Sequence, residues 1–143
     1  MNETDPSTDL LFVYGSLLPQ APHSRHHLLG PVTPLGSGYF RGRLFSLGNY
    51  PGAVVSQLPA DQVRGIAYRL TQPLESLPRL DRYEGFVPTS PEGCEFIRTT
   101  VQVQLDEGAE LITWTYLYNL PVDGLRRIEG GDYLRFSTSA GAS

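Results

Sequence analysis

Leu10-Leu11-Phe12-Val13-Tyr14-Gly15-Ser16-Leu17 is the stretch on which the reading of the fold turns. An unbroken apolar run of this length, with two aromatic residues, points to a buried strand that Gly15 stops. Outward from it, Pro22 to Leu29 is expected as a short helix closed by Gly30-Pro31. Tyr39 to Phe45 and Ala53-Val54-Val55 read as strands around the turn Gly48-Asn49-Tyr50-Pro51-Gly52. Val63 to Leu70 alternates with period two and reads as a further strand. Leu74, Leu77 and Leu80 recur at helical spacing, between a start at Pro73 and a stop at Gly85. Ile97 to Leu105 and Leu111 to Leu120 form a hairpin about Asp106-Glu107-Gly108-Ala109-Glu110. A last helical piece is expected over Asp123 to Ile128. Strands with one or two interposed helices, without regular alternation, give an α+β class. The expected fold is a mixed, mostly antiparallel sheet curled into a small β-barrel with one or two flanking helices, not a doubly wound sheet.

The 143 residues suit one domain, expected over residues 10–136, with residues 1–9 and 137–143 as flexible termini. A net charge of −4 without a basic block argues against nucleic acid as the partner. No apolar run approaches the ~18 residues of a membrane span, and the polar start lacks the pattern of a signal peptide. Cys94 is the one cysteine, which leaves no intrachain disulfide and no thiolate metal cluster. Together these features favour a cytoplasmic protein.

Few residues combine into chemistry. Gly15 lets the backbone turn sharply after the first strand, and successive N–H groups in the Tyr14-Gly15-Ser16-Leu17 turn can bind a carboxylate or a developing oxyanion. Glu84 ends the helix between Tyr83 and Gly85-Phe86. A desolvated carboxyl group there would have a pKa raised into the working range of a general acid or base. It also stands at the unfavourable end of the helix dipole. His23 and His27 have metal-ligand spacing but no further ligands, so His23, His26 and His27 read as a solvated helix face. Ser16 lacks the flanking glycines of a nucleophile elbow. Cys94 lies between Glu92 and Glu95, which disfavour a thiolate. Tyr116 and Tyr118 share one face of the last long strand, where a tyrosine tip can enter a pocket; Tyr118 is assigned to it.

In order along the chain, Phe12-Val13-Tyr14-Gly15-Ser16-Leu17, Tyr50-Pro51-Gly52-Ala53, Gly65-Ile66-Ala67-Tyr68, Leu80-Asp81-Arg82-Tyr83-Glu84-Gly85, Phe96-Ile97-Arg98 and Thr115-Tyr116-Leu117-Tyr118-Asn119 resemble the gamma-glutamylcyclotransferase-like family. The resemblance is to the branch of gamma-glutamylamine cyclotransferases and avirulence-induced-gene-like proteins. It implies a small barrel with the loop after the first strand opposite a catalytic glutamate, Glu84. The implied reaction is attack of a gamma-glutamyl α-amine on its own γ-carbonyl, releasing 5-oxoproline and a free amine. Glu84 would serve as general base and then acid, and Tyr14, Gly15, Ser16, Leu17 and Tyr118 would hold the substrate. The substrate brings its own nucleophile, so neither metal nor organic cofactor is expected, and the expected partner is a small gamma-glutamyl compound. Competing readings are a non-catalytic metabolite binder of the same fold and a biosynthetic enzyme that removes a gamma-glutamyl tag from a larger amine. One departure from the family is the insertion Val87 to Glu95, a rim or lid that bears on substrate choice; Phe96 stands where relatives carry tyrosine. The leaving amine and the oligomeric state are not specified by these residues.

Overall fold

The Leu10–Val13 run forms strand β1, and Leu11, Phe12 and Val13 are all fully buried. Burial on both faces is why the segment shows no polar alternation. In the computed structural model, which describes residues 8–142, β1 lies between β4 (Gln62–Leu70) and β6 (Glu110–Tyr118). It is antiparallel to β4 and parallel to β6. The sheet order is β3 (Pro51–Val55), β2 (Val32–Ser46), β4, β1, β6, β5 (Phe96–Leu105). β2 also pairs with β5 through Gly38↔Leu105 and Tyr39↔Gln104. This second pairing closes β2, β4, β1, β6 and β5 into a five-stranded mixed barrel. β3 and the short β7 (Arg126–Ile128) pair with the far end of β2, outside the ring. Phe12 meets Phe40 edge-on at 5.8 Å inside the barrel, and Tyr14 meets the same ring at 6.3 Å.

Three segments differ from the sequence expectation, each for a local reason. β2 begins at Val32, not Tyr39. Its first half carries Pro34 and Gly36 at a register shift, so strand periodicity is broken there although the pairing continues. The helix expected over Pro22 to Leu29 is a single 3₁₀ turn, His26–Leu29. Ser24 accounts for this: its Oγ donates to Leu18 O at 2.6 Å and accepts the His26 N–H, so local side-chain bonds replace helical ones. Asp123 to Ile128 is not helical. Gly124 has a φ of +81°, and the chain turns there into β7, which pairs Ile128 with Leu44 of β2.

Thr8 and Asp9, just before β1, hydrogen-bond to the sheet. The Thr8 hydroxyl donates to Ile112 O, and Asp9 O accepts the Leu70 N–H, so both residues are tied to the sheet. Residues 1–7 and 143 lie outside the described residues. Helix α2 spans Tyr133–Ala142 and runs past the domain end expected at residue 136.

Helix α1 (Pro73–Glu84) has the expected bounds; Leu80 is buried and Leu77 packs against the core as the spacing predicts, but Leu74 does not join them. Leu74 is 91% exposed, and the buried residues are Ser76, Leu80 and Asp81. Pro78 removes one helical hydrogen bond, the one to Leu74 O, on this exposed side where water can replace it. The buried polar residues are bonded. Ser76 Oγ donates to Leu29 O at 2.6 Å, and Arg79 Nε donates to Leu28 O at 2.9 Å, docking α1 on the 3₁₀ turn. Docked there, α1 presents its C-terminal turn to the open end of the barrel beside Tyr14.

Candidate active site

The turn after β1 is organised so that its carbonyls are occupied and its amides are free. Gly15 O accepts the Leu18 N–H at 2.9 Å, and Ser16 O accepts the Arg25 N–H at 2.9 Å. The His26 Nδ1–H donates to Leu17 O at 2.9 Å, which fixes the tautomer because a carbonyl can only accept. Leu18 O takes Ser24 Oγ. Among the described residues, no protein acceptor pairs with the N–H groups of Gly15, Ser16 or Leu17. Three adjacent unpaired amides are the kind of donor set from which an anion-binding concavity can be built. His26, packed at a tilt against Tyr68 at 5.1 Å, is therefore a brace for this loop and not part of a solvated face; His23 and His27 are exposed.

Gly15 is required by contact. A Cβ there would lie 2.7 Å from Pro51 Cγ and 3.0 Å from Pro51 Cδ. The Pro51 ring cannot swing aside as a flexible side chain would. Gly15→Val is therefore expected to push the loop off Pro51 and lower affinity for a gamma-glutamyl ligand at least about tenfold, read by calorimetry. Unchanged affinity in a folded variant would contradict the loop's role.

Glu84 is set by the helix end. Gly85 adopts the left-handed conformation (φ 76°, ψ 24°), its N–H bonds Arg82 O, and the Phe86 N–H bonds Asp81 O at 2.8 Å. This C-cap leaves Glu84 as the last helical residue, partly buried, on the wall facing the loop. Burial, and secondly the negative charge of Glu95, push its pKa up to about 8. The helix dipole acts in the same direction.

Loop and glutamate line one cavity of about 220 Å³. This is below the ~300–1,000 Å³ typical of pockets for drug-sized ligands, and suits a small metabolite. Phe12, Val13, Tyr14, Thr115 and Tyr116 form its floor, while Tyr50, Tyr83 and Glu95 stand at the mouth. Tyr14 lines the cavity with its ring, but its hydroxyl is engaged: it donates to Tyr116 O at 2.6 Å and accepts the Ala53 N–H at 3.1 Å. Burial, then the charge of Glu84, holds this phenol above its usual range. Ser16 Oγ meets Tyr83 OH at 3.0 Å, a contact that ties loop to helix and supplies no base for a serine nucleophile.

Tyr118 is not among the lining residues; it packs edge-on against Phe96 at 5.7 Å, next to Gly52. Tyr116, two residues earlier, is the tyrosine of this strand that reaches the cavity. Its hydroxyl donates to Asp81 Oδ1 at 2.7 Å, and burial followed by this bond raises its pKa. Arg98 donates to both oxygens of the same carboxylate, at 2.8 and 3.1 Å, and lies on the Trp114 ring at 4.4 Å. Asp81 stands three residues before Glu84, so this buried network fixes the helical turn that carries the glutamate.

Comparison with known proteins agrees with this architecture. The family model described as gamma-glutamyl cyclotransferase, AIG2-like, matches residues 11–135. The gamma-glutamylcyclotransferase family protein YtfP of Escherichia coli (strain K12) is 34% identical over 125 residues, covering 87% of this chain and 95% of that protein. The solution structure of protein ytfP from Escherichia coli has a TM-score of 0.60 at 33% identity, over 90% of this chain and 98% of that one. YkqA of Bacillus subtilis has a TM-score of 0.72 at 24% identity over 94% of this chain, which spans 43% of that protein. A small mixed barrel with a free-amide loop facing a helix-terminal glutamate, matched over nearly its whole length, places this chain in the AIG2-like gamma-glutamyl cyclotransferase family.

Proposed function

We propose that the protein cyclises gamma-glutamyl amides, releasing 5-oxoproline and a free amine. The observation that carries this reading is the pairing, across one small cavity, of three free backbone amides with a carboxyl group whose pKa is pushed up to about 8. The amides of Gly15, Ser16 and Leu17 suit the substrate carboxylate or the tetrahedral oxyanion. Glu84 suits the proton. A peptide α-amine titrates at about 8, and the substrate's, beside its own carboxylate, somewhat higher. The raised pKa of Glu84 therefore brings it close to the substrate ammonium as a proton acceptor. With an ordinary glutamate the same transfer would cost about 5 kcal/mol.

The steps balance. The α-ammonium gives a proton to the Glu84 carboxylate, and the neutral amine attacks the γ-carbonyl carbon. Glu84 then protonates the leaving nitrogen as its bond to carbon breaks, and takes back the second proton from the ring nitrogen. That proton leaves with the released amine as its ammonium. Five-membered ring closure from a folded substrate is an oriented intramolecular step, worth up to about 7–11 kcal/mol. A plain carboxylate receptor would have no use for Glu84 facing an anionic ligand, which argues against the non-catalytic reading.

The reactive form carries one proton between Glu84 and the amine, so the pH dependence follows directly. The kcat/KM for a gamma-glutamyl amide is expected to peak near about pH 8 and fall on both sides, because acid protonates both groups and alkali strips both. In Glu84→Gln the alkaline fall disappears and residual turnover follows the free amine. A flat wild-type profile between about pH 6 and 10 would count against the assignment.

A further inference from the structure

Arginine is concentrated in a cleft apart from the cavity of Glu84. The chain carries 11 basic residues against 15 acidic ones, and every basic residue is arginine. Arg64, Arg126, Arg127 and Arg135 line a single cavity of about 550 Å³ together with Glu129, Asp132 and Phe136. No residue is shared between this lining and that of the cavity holding Glu84. In a chain of net charge −4, four cations against two acids on one wall make a local positive field.

Part of the cluster is structural. Arg64 Nη2 donates to Asp106 Oδ2 at 2.6 Å, and Arg127 Nη2 donates to Asp61 Oδ1 at 2.9 Å. Asp61 is shared, however: its other oxygen takes Arg43 Nε at 2.8 Å, so one negative charge serves two guanidinium groups. Asp132 caps α2, its Oδ1 accepting the Arg135 N–H at 3.2 Å. Neither the Arg126 nor the Arg135 guanidinium has a carboxylate partner among the described residues. Arg126 lies over the Phe136 ring at 5.1 Å, a contact that holds its guanidinium without using its N–H donors. The backbone fixes this arrangement. Gly130 and Gly131, with φ of +84° and +67°, turn the chain from β7 into α2. Gly131 O accepts the Arg64 N–H at 2.8 Å, and a Cβ on Gly131 would collide with Gln62 O. Arginines of β4, β7 and α2 are thereby brought to one cleft.

We infer that the cleft between β4, β7 and α2 is a second ligand site, which binds the phosphate of a small phosphorylated metabolite through Arg126 and Arg135. The guanidinium fork matches phosphate oxygens, and both groups have donors to spare. The volume lies within the ~300–1,000 Å³ of small-molecule pockets, room for more than inorganic phosphate alone, and Phe136 gives the cleft an apolar wall. The inference does not depend on the cyclisation reading.

The test is calorimetric titration of the full chain with ADP, pyrophosphate and adenosine at about 0.15 M salt. ADP and pyrophosphate are expected to bind and adenosine is not. Tighter binding of ADP marks an organic phosphate as the occupant, and equal binding marks a free polyphosphate. Arg135→Glu, at an exposed position of α2, should weaken ADP binding at least about tenfold. Arg126→Gln should do the same, with circular dichroism to show that it folds. Neither change should alter 5-oxoproline release, since both residues lie outside the cavity of Glu84. Failure of ADP and pyrophosphate to bind at about millimolar concentration overturns the inference. So does equal affinity in wild type and Arg135→Glu, which would put the anion elsewhere, on the loop amides for example.

Discussion

Glu84→Gln is expected to lower kcat for 5-oxoproline release by roughly 10²- to 10⁴-fold, the range for loss of a positioned proton carrier. The amide keeps the shape and hydrogen-bonding reach of the side chain but neither takes the ammonium proton nor returns one to the leaving nitrogen. The fold should not suffer. Glu84 accepts no hydrogen bond among the described residues, and its raised pKa shows that the site disfavours its charge. The sign of the stability effect follows from linkage. Its folded pKa of about 8 lies above the ordinary 4.5, so between these values the folded state binds the more protons and wild-type stability falls as pH rises. Glu84→Gln escapes that fall. It should match wild type near pH 4 and be more stable near pH 9, on the order of 1–3 kcal/mol by urea unfolding. A variant both slower and less stable at alkaline pH would mean that Glu84 is a structural anion.

Asp81→Asn is expected to destabilise the protein by about 3–5 kcal/mol, the usual result of breaking a buried ion pair from one side. Asp81 is 7% exposed and holds the Arg98 guanidinium through both oxygens together with the Tyr116 hydroxyl. Asparagine offers one acceptor where two were used and turns an N–H₂ toward the Arg98 guanidinium. Since Asp81 O also caps α1 through the Phe86 N–H, the last helical turn should loosen. Turnover should then fall through kcat by about tenfold or more even where the variant remains folded, because Glu84 is no longer held against the loop. Urea unfolding with kinetics at low temperature separates the two effects. A folded variant with wild-type stability and kcat would remove Asp81 from the positioning network.

What was legible in the sequence, and what was not, divides along contact range. β1, its glycine stop and Glu84 at the end of α1 are local features, set by an apolar run, Gly15 and Gly85. The inner face of α1 was read only in part because an apolar rule looks for leucines: Leu77 and Leu80 lie on it, but this helix also buries Ser76 and Asp81 and leaves Leu74 in water. Those polar residues are tolerable only because Leu29 O, Arg98 and Tyr116 meet them, and Arg98 and Tyr116 come from strands 17 and 35 residues away. Tyr116 and Tyr118 were correctly read as sharing a face, but spacing cannot tell which of them lies under α1 and which under Phe96. Glu95 was read as a neighbour of Cys94 and as the end of a rim or lid, not as a cavity residue; its entry into the cavity depends on Asn119 holding the rim. His26 likewise acquires its role only when the chain folds back on Leu17.

The most direct measurement is product identity in water enriched in ¹⁸O. Wild-type protein with a gamma-glutamyl amine should release free amine and 5-oxoproline in equal amounts, with no solvent oxygen in the 5-oxoproline. Release of glutamate carrying ¹⁸O would mean that water, not the substrate amine, attacks the γ-carbonyl, and tight binding with no product would mean a receptor; either result contradicts intramolecular cyclisation by this site.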